Sequence, residues 1–141
     1  NIEFFRPKPD DLPWPLLERG SARQTQSELR ESLKLDYTRV ASRIEPPATI
    51  GAYSMRQRDA ENFELVSVAV EEDCEHQMLG RRLLGHALGL AESKAARFVH
   101  LVVCADNTRA LDTATRYGFV GQESDEGDGA FKHMCFELTP E

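Results

Sequence analysis

Apolar residues along the chain change their spacing from one segment to the next, and these changes predict the order of strands and helices. The sharpest change lies within residues 64–84, where ELVSVAV is followed by EEDCEHQ and then by MLGRRLL. The first part is a short apolar run, typical of a strand that is covered on both faces. From Leu79 to Ala91 apolar residues recur at helical spacing. The pattern predicts a strand that leads directly into a helix.

The segment between this strand and this helix has the features of an anion-binding loop. A helix N-terminus presents free backbone N–H groups and the positive end of the helix dipole. Residues 75–80 lie at this position, and Arg81 and Arg82 follow them directly. The sequence therefore predicts a phosphate site at 75–80.

The other segments complete a mixed α/β domain. Besides the central strand, strands are expected at 2–5, 40–44, 49–55, 98–104, 119–122 and 131–138. Helices are expected after a cap at Asp10 or Asp11, at 21–35, at 80–96, and from a cap at Asp106 or Asn107 to Gly118. The helix at 21–35 has few apolar positions and is expected on the surface. This order predicts a sheet whose first half is largely antiparallel.

Composition narrows the class of protein. A chain of 141 residues, 40% hydrophobic and 29% charged, is expected to form one globular domain over residues 1–141. The net charge of −7 argues against a nucleic-acid binder. There is no apolar run of membrane-spanning length, and the N-terminus does not resemble a signal peptide. Three widely spaced cysteines are typical of reduced thiols, so a cytoplasmic location without membrane association is expected.

Two motifs, taken in order, resemble the GNAT superfamily of N-acetyltransferases. The first is the strand SVAV, followed by the loop that ends at Gly80 and by the next helix. The second motif consists of Asn107, Ala110, Gly118 and Phe119. The resemblance covers nearly the whole chain. It implies a central mixed sheet of six to seven strands, helices on both faces and a splayed central strand pair.

The resemblance also implies a function, acetyl transfer from acetyl-CoA to a primary amine by direct attack. In the family, loop amides hold the pyrophosphate and the pantetheine arm lies between the splayed strands. Glu64 is then the implied catalytic base. The implied cofactor contacts are Val68, Ala69, Val70, Glu75, His76, Gln77, Met78, Leu79, Gly80, Arg81 and Asn107. The implied acceptor is a small-molecule or protein amine, no metal is implied, and a homodimer is left open.

Three positions depart from the family pattern. Glu75 stands where Arg or Gln is usual, and Met78 replaces the first glycine of the loop motif. Ala114 stands where the family often has a tyrosine acid, and Tyr117 is no obvious substitute. These departures support a second hypothesis beside the enzyme, a non-catalytic GNAT-like module that binds acyl-CoA or a protein partner.

Other residues have a functional and a structural interpretation. Asn107 can contact a cofactor or only cap a helix, and His100 can act in chemistry or only hydrogen-bond within the sheet. Cys104 can be a small buried residue or form an acyl-cysteine. Cys74 and His76 could begin a zinc site, but the sequence contains no second close pair. A dinucleotide-binding fold is disfavoured because GxGxxG is absent.

Overall fold

A seven-stranded sheet forms the centre of the computed structural model, which describes residues 2–21, 26–122 and 129–138. The side chains of residues 26 and 75–77 are outside this description. The strands are β1 (Ile2–Phe5), β2 (Thr38–Arg43), β3 (Ala48–Gln57), β4 (Asn62–Val70), β5 (Phe98–Cys104), β6 (Val120–Gln122) and β7 (Phe131–Glu137).

Four α-helices accompany the sheet in the described residues. They are α1 (Trp14–Arg19), α2 (Gln26–Ser32), α3 (Leu79–Ser93) and α4 (Thr108–Tyr117). Short 3₁₀ helices lie at Pro9–Asp11, Leu35–Tyr37 and Glu72–Gln77. None of the described helices is both long enough and apolar enough to cross a bilayer.

The strand order is β1-β2-β3-β4-β5-β7-β6, and β4 with β5 is the one parallel pair in it. A parallel pair needs a crossover, and α3 provides it. The expected mixed sheet is confirmed, as is the antiparallel arrangement of the first four strands.

Alternating side chains of the strands bury two apolar clusters, one on each face of the sheet. On one face, α3 contributes Leu79, Leu83, Ala87 and Ala91 to the larger cluster. On the other face, Leu16 and Leu17 of α1 and Leu29 of α2 pack on β2, β3 and β4. Helices on both faces are therefore confirmed.

Two helices are shorter than the sequence pattern predicts. α2 begins at Gln26, whereas the predicted helix began at residue 21; residues 22–25 are outside the described residues. α2 lies on the surface as expected, since residues 27, 28, 30 and 31 are exposed, and its apolar residue Leu29, at 0% exposed, fills the cluster under α1. α3 ends at Ser93, since Ala95 takes a left-handed conformation that a helix cannot continue.

Two residues other than glycine have a positive φ in the described chain, Met78 at 58° and Ala95 at 64°. Met78 joins the 3₁₀ helix at Glu72–Gln77 to α3. For an L-residue this conformation costs about 1–2 kcal/mol because Cβ approaches the following carbonyl oxygen. A glycine avoids this strain but gains more freedom in the unfolded chain.

Met78→Gly is therefore expected to raise the free energy of unfolding by about 0.5–1 kcal/mol. This is the strain relieved in the folded state minus the cost of the greater conformational entropy of glycine in the unfolded chain. Urea denaturation of the free protein measures the change. Ala95→Gly is the matched variant, because Ala95 is also exposed and has nearly the same φ. A lower stability for both variants would show that positive φ is not a source of strain at these positions.

Candidate functional site

A cleft of about 460 Å³ opens where β4 and β5 stop pairing. The two strands pair only from Asn62 and Phe98 to Leu65 and Leu101, and then diverge. A bulge helps to turn β4 away, because Ser54 and Met55 of β3 pair with Ser67 and Leu65, which leaves Val66 as an extra residue. The splayed central pair expected from the sequence is confirmed.

The walls of this cleft come from both faces of the sheet. The end of α1 borders it on one face, and the start of α3 together with α4 borders it on the other. Its lining includes Arg19, Gly20, Ser21, Leu65, Val66, Val68, Ala69, Val70, Met78, Gly80, Arg81, Cys104, Asn107 and Arg109.

The cleft is basic although the whole chain carries a net charge of −7. Among the described residues, its lining contains four arginines, Arg19, Arg81, Arg109 and Arg116, and one acidic residue, Asp112. Asp112 is paired with Arg116, with Nε and Oδ2 3.1 Å apart. Arg19 also lies near an acidic residue, with its Nη1 3.9 Å from Oε1 of Glu72. The net positive charge of the described lining would attract a polyanionic ligand.

The predicted phosphate loop takes a 3₁₀ conformation at Glu72–Gln77, and α3 follows it without a side-chain cap on its N-terminus. Glu75, His76 and Gln77 lie in this 3₁₀ helix, and contacts of their side chains are outside the described residues. Met78, Gly80 and Arg81 line the cleft, as predicted for residues near a ligand. Their roles as cofactor contacts stay predictions.

Two other residues of the loop and of β4 have their side chains in the apolar clusters. The Leu79 side chain is fully buried beneath α3, and Ala69 packs toward α1. Each can therefore meet a cofactor mainly through its backbone. Met78 is 62% exposed and adopts the positive φ that the family glycine would adopt freely.

The cleft-facing edge of β4 is partly occupied by the end of α1. The Val68 N–H donates to the Gly20 carbonyl at 3.3 Å, and the Arg19 guanidinium donates to the Val70 carbonyl at 2.6 Å. Both Val68 and Val70 were expected to offer backbone groups to pantetheine. One group of each already has a partner within the chain.

Glu64 lies beside the point where the strands diverge, but it does not line the cleft. Its side chain is 6% exposed, and its Oε1 accepts hydrogen bonds from both Arg56 and Arg58. Burial alone would raise the pKa of Glu64, but these hydrogen bonds and charges outweigh it and lower the pKa. Glu64 is therefore ionised at neutral pH and a weak base, and its catalytic role stays a prediction.

His100 forms part of a polar chain next to Glu64. Its Nε2 lies 2.8 Å from Oδ1 of Asn62, and its Nδ1 lies 3.0 Å from Nε2 of His133. Burial, and then the charge of Arg58, lower the pKa of His100, so the ring is neutral at pH 7. These contacts account for His100 as a hydrogen-bonded residue of the sheet.

The second motif supports α4 at the cleft wall. Asn107 caps this helix through its Oδ1, which accepts from the Ala110 N–H at 3.2 Å, and it also lines the cleft. Gly118 ends the helix with φ 126°. Cys104 is partly exposed at the end of β5 and lines the cleft.

The position where the family often has a tyrosine contributes packing in this chain. Ala114 is buried in the larger cluster, and Tyr117 packs against Phe119 and Phe136 outside the cleft lining. Gly85 on α3 leaves room for the Tyr117 hydroxyl. Within the described residues, no three potential metal ligands lie together.

The sequence patterns missed the cleft residues of α1 and most of those of α4. On α4 a signal existed: Asp112 and Thr113 each lie three or four residues from both Arg109 and Arg116, so the four residues share a helix face. For Arg19 and Gly20 no local signal existed, since their partners on β4 lie about fifty residues away.

Comparison with known folds agrees with this geometry. The structure of a GNAT family acetyltransferase from Elizabethkingia anophelis with acetyl-CoA bound is similar at TM-score 0.82 and 19% identity, covering 98% of this chain and 99% of that one. IAA acetyltransferase from Bacillus cereus is similar at TM-score 0.81 and 17% identity, covering 98% and 100%. A Bacillus subtilis acetyltransferase in complex with CoA has TM-score 0.75 and 19% identity, covering 98% of each chain.

Sequence comparison gives the family directly. No curated protein matches the chain at a significant level. A sequence model of the acetyltransferase (GNAT) family matches residues 9–119, which include β4, α3, β5 and α4. The resemblance drawn from the two motifs is thus confirmed: the chain belongs to the GNAT family of acetyltransferases.

Proposed function

We propose that the protein transfers an acetyl group from acetyl-CoA to a primary amine by direct attack in a ternary complex. The observation that carries the proposal is a basic cleft between splayed strands in an otherwise acidic chain. CoA is a polyanion with a long, thin arm, and a narrow cleft with arginine side chains suits both parts. Two of the similar structures hold acetyl-CoA or CoA.

The phosphates of the cofactor would lie at the wide end of the cleft. There the uncapped N-terminus of α3 presents backbone N–H groups, and Gly80 leaves space because a Cβ atom at this position meets nothing closer than 3.7 Å. Arg81 and Arg109 line the same cleft. The remaining loop residues, Glu75, His76 and Gln77, would contribute mainly backbone groups.

In the proposed reaction the neutral amine nitrogen attacks the thioester carbonyl carbon. A C–N bond forms, the C–S bond breaks, and CoA leaves as a thiolate. The nitrogen gives up one proton, and protonation of the thiolate takes one up. Atoms and charge therefore balance in the overall reaction. None of the described residues that line the cleft is a tyrosine, so we propose that the thiolate leaves as the anion or takes its proton from water.

We propose Glu64 as the base, acting through water. Arg56 and Arg58 both contact Oε1 of Glu64. We propose that Oε2 accepts a hydrogen bond from a water molecule near the point where β4 and β5 diverge. Its low pKa keeps the carboxylate ionised over the whole range where an amine begins to lose its proton.

The acceptor is proposed to be a small-molecule or protein amine that enters from the α1 face. The free thiols of Cys74, Cys104 and Cys135 support the cytoplasm as the compartment. The alternative, a non-catalytic module that binds acyl-CoA, draws support from Ala114 and from the arginine-bound Glu64.

Arg81→Glu is expected to weaken CoA binding about tenfold at low salt, because a negative side chain replaces a positive one in the cleft lining. The loss should shrink as salt rises, since exposed charges are screened. Titration calorimetry at two salt concentrations measures both effects. Arg82→Glu is the matched control, because Arg82 is the next residue, is also exposed and is not among the described residues that line the cleft. Equal losses for the two variants would contradict the proposed phosphate site.

Turnover separates the enzyme from the binding module. Thiol release from acetyl-CoA, measured against a panel of amines, should exceed the rate without amine for at least one acceptor. CoA binding with no amine-dependent release from any acceptor would favour the module.

Glu64→Gln should lower kcat by roughly 10²- to 10⁴-fold, the range for a positioned base, and leave CoA affinity unchanged. Raising the pH should restore part of the rate, because more of the amine is then neutral. A pH–rate profile on the best acceptor tests this. Turnover that equals wild type at every pH would exclude Glu64 as the base.

Arg56→Gln is the companion variant. It removes one hydrogen bond and one positive charge from the Glu64 carboxylate, while burial remains, so the pKa of Glu64 should rise. A carboxyl-carbon NMR titration detects the direction of this shift. An unchanged pKa would show that Arg58 alone sets the ionisation of Glu64.

A further inference from the structure

The end of α1, defined here as residues 17–21, docks on the cleft-facing edge of β4. Three hydrogen bonds join them: the Ser67 hydroxyl to the Leu17 carbonyl, the Val68 N–H to the Gly20 carbonyl, and the Arg19 guanidinium to the Val70 carbonyl. Two of these bonds use the groups of Val68 and Val70 that point into the cleft. A ligand arm lying along this edge of β4 would compete for the same two groups.

Gly20 makes this docking possible through the side chain it lacks. A Cβ atom at Gly20 would lie 2.6 Å from the Val68 carbonyl oxygen and 2.8 Å from Cβ of Ala69. Neither neighbour can yield easily, because one is backbone and the other is a buried alanine. The φ of Gly20 is −80°, so another residue could adopt its backbone conformation. The constraint at this position is therefore the close approach alone.

Docking also buries one polar group unfavourably, the Ser21 hydroxyl. Its Oγ is buried and, alone among the described side-chain oxygen and nitrogen atoms, is buried with no hydrogen-bond partner. A hydroxyl group removed from water without a partner destabilises the state that buries it. The docked arrangement is thus held by three hydrogen bonds, by burial of Leu17 and by the ion pair of Arg19 with Glu72, and it is opposed by one unpaired hydroxyl.

We propose that the end of α1 is an intramolecular competitor of the pantetheine arm. It occupies the β4 edge in the free protein, and the cofactor displaces it to reach Val68 and Val70. This inference rests on the proposed function, since it takes acyl-CoA as the ligand. Apparent cofactor affinity then equals the affinity of the undocked state multiplied by the fraction of molecules in which α1 is undocked.

Removal of the Arg19 guanidinium should change CoA affinity in one direction if α1 competes with the cofactor, and in the other if Arg19 only attracts the phosphates. As a positive residue that lines the cleft, Arg19 would strengthen binding if it contacted the cofactor phosphates. As a clamp on the Val70 carbonyl, it weakens binding by holding α1 in place. Loss of the guanidinium therefore changes affinity in opposite directions under the two roles.

The test uses titration calorimetry with CoA on the full chain and four variants. Arg19→Gln and Gly20→Ala should each tighten binding, by about threefold or more, because one hydrogen bond is lost or the docked position is blocked. Ser21→Ala should weaken binding by a similar factor, because removal of the unpaired hydroxyl favours docking. Arg97→Gln, an equal charge change on an exposed arginine outside the cleft lining, should leave affinity unchanged.

Amide hydrogen exchange at Val68 provides the second measurement. In the free protein this amide should exchange faster in Arg19→Gln and Gly20→Ala than in wild type, and slower in Ser21→Ala. Weaker CoA binding in Arg19→Gln, with unchanged exchange at Val68, would overturn the proposal and make Arg19 a cofactor contact. If wild type and all four variants fail to bind CoA while Val68 exchange follows the expected order, the docking stands and the proposed function fails.

Discussion

The early end of hydrogen bonding between β4 and β5 is the constraint on which the site depends. Only four residue pairs connect these two strands, from Asn62 with Phe98 to Leu65 with Leu101. The bulged residue Val66 then shifts the register of β4 against β3, and the gap between β4 and β5 widens toward α3. Because α3 and α4 start from the diverging ends of these two strands, their N-terminal turns come to border one cleft.

Much of this fold could be predicted because its elements have strong local patterns. β4 is a nearly continuous apolar run, and α3 carries Leu79, Leu83 and Ala87 at helical spacing. Asn107 and Gly118 bracket α4 as its cap and its end. The bounds of α2 were predicted poorly, since seven largely polar residues carry little periodicity and tertiary packing of Leu29 decides its position.

The site was predictable where it depends on motif spacing and unpredictable where it depends on contacts between distant segments. Gly80, Arg81 and Asn107 were named from sequence and do line the cleft. The ion pairs of Glu64 with Arg56 and Arg58 have a local origin, because β3 and β4 form a hairpin that places Arg56 opposite Glu64. The bond from Arg19 to Val70 spans 51 residues and has no sequence pattern.

The close packing of Gly20 against β4 also matters for the solubility of the fold. A splayed strand pair leaves two unpaired edges inside a sheet, and unpaired edges invite pairing with another chain. The Gly20 carbonyl and the Arg19 side chain satisfy two of the exposed backbone groups on β4, as a neighbouring strand would. The end of α1 thus covers part of an open β edge with which a second chain could otherwise pair.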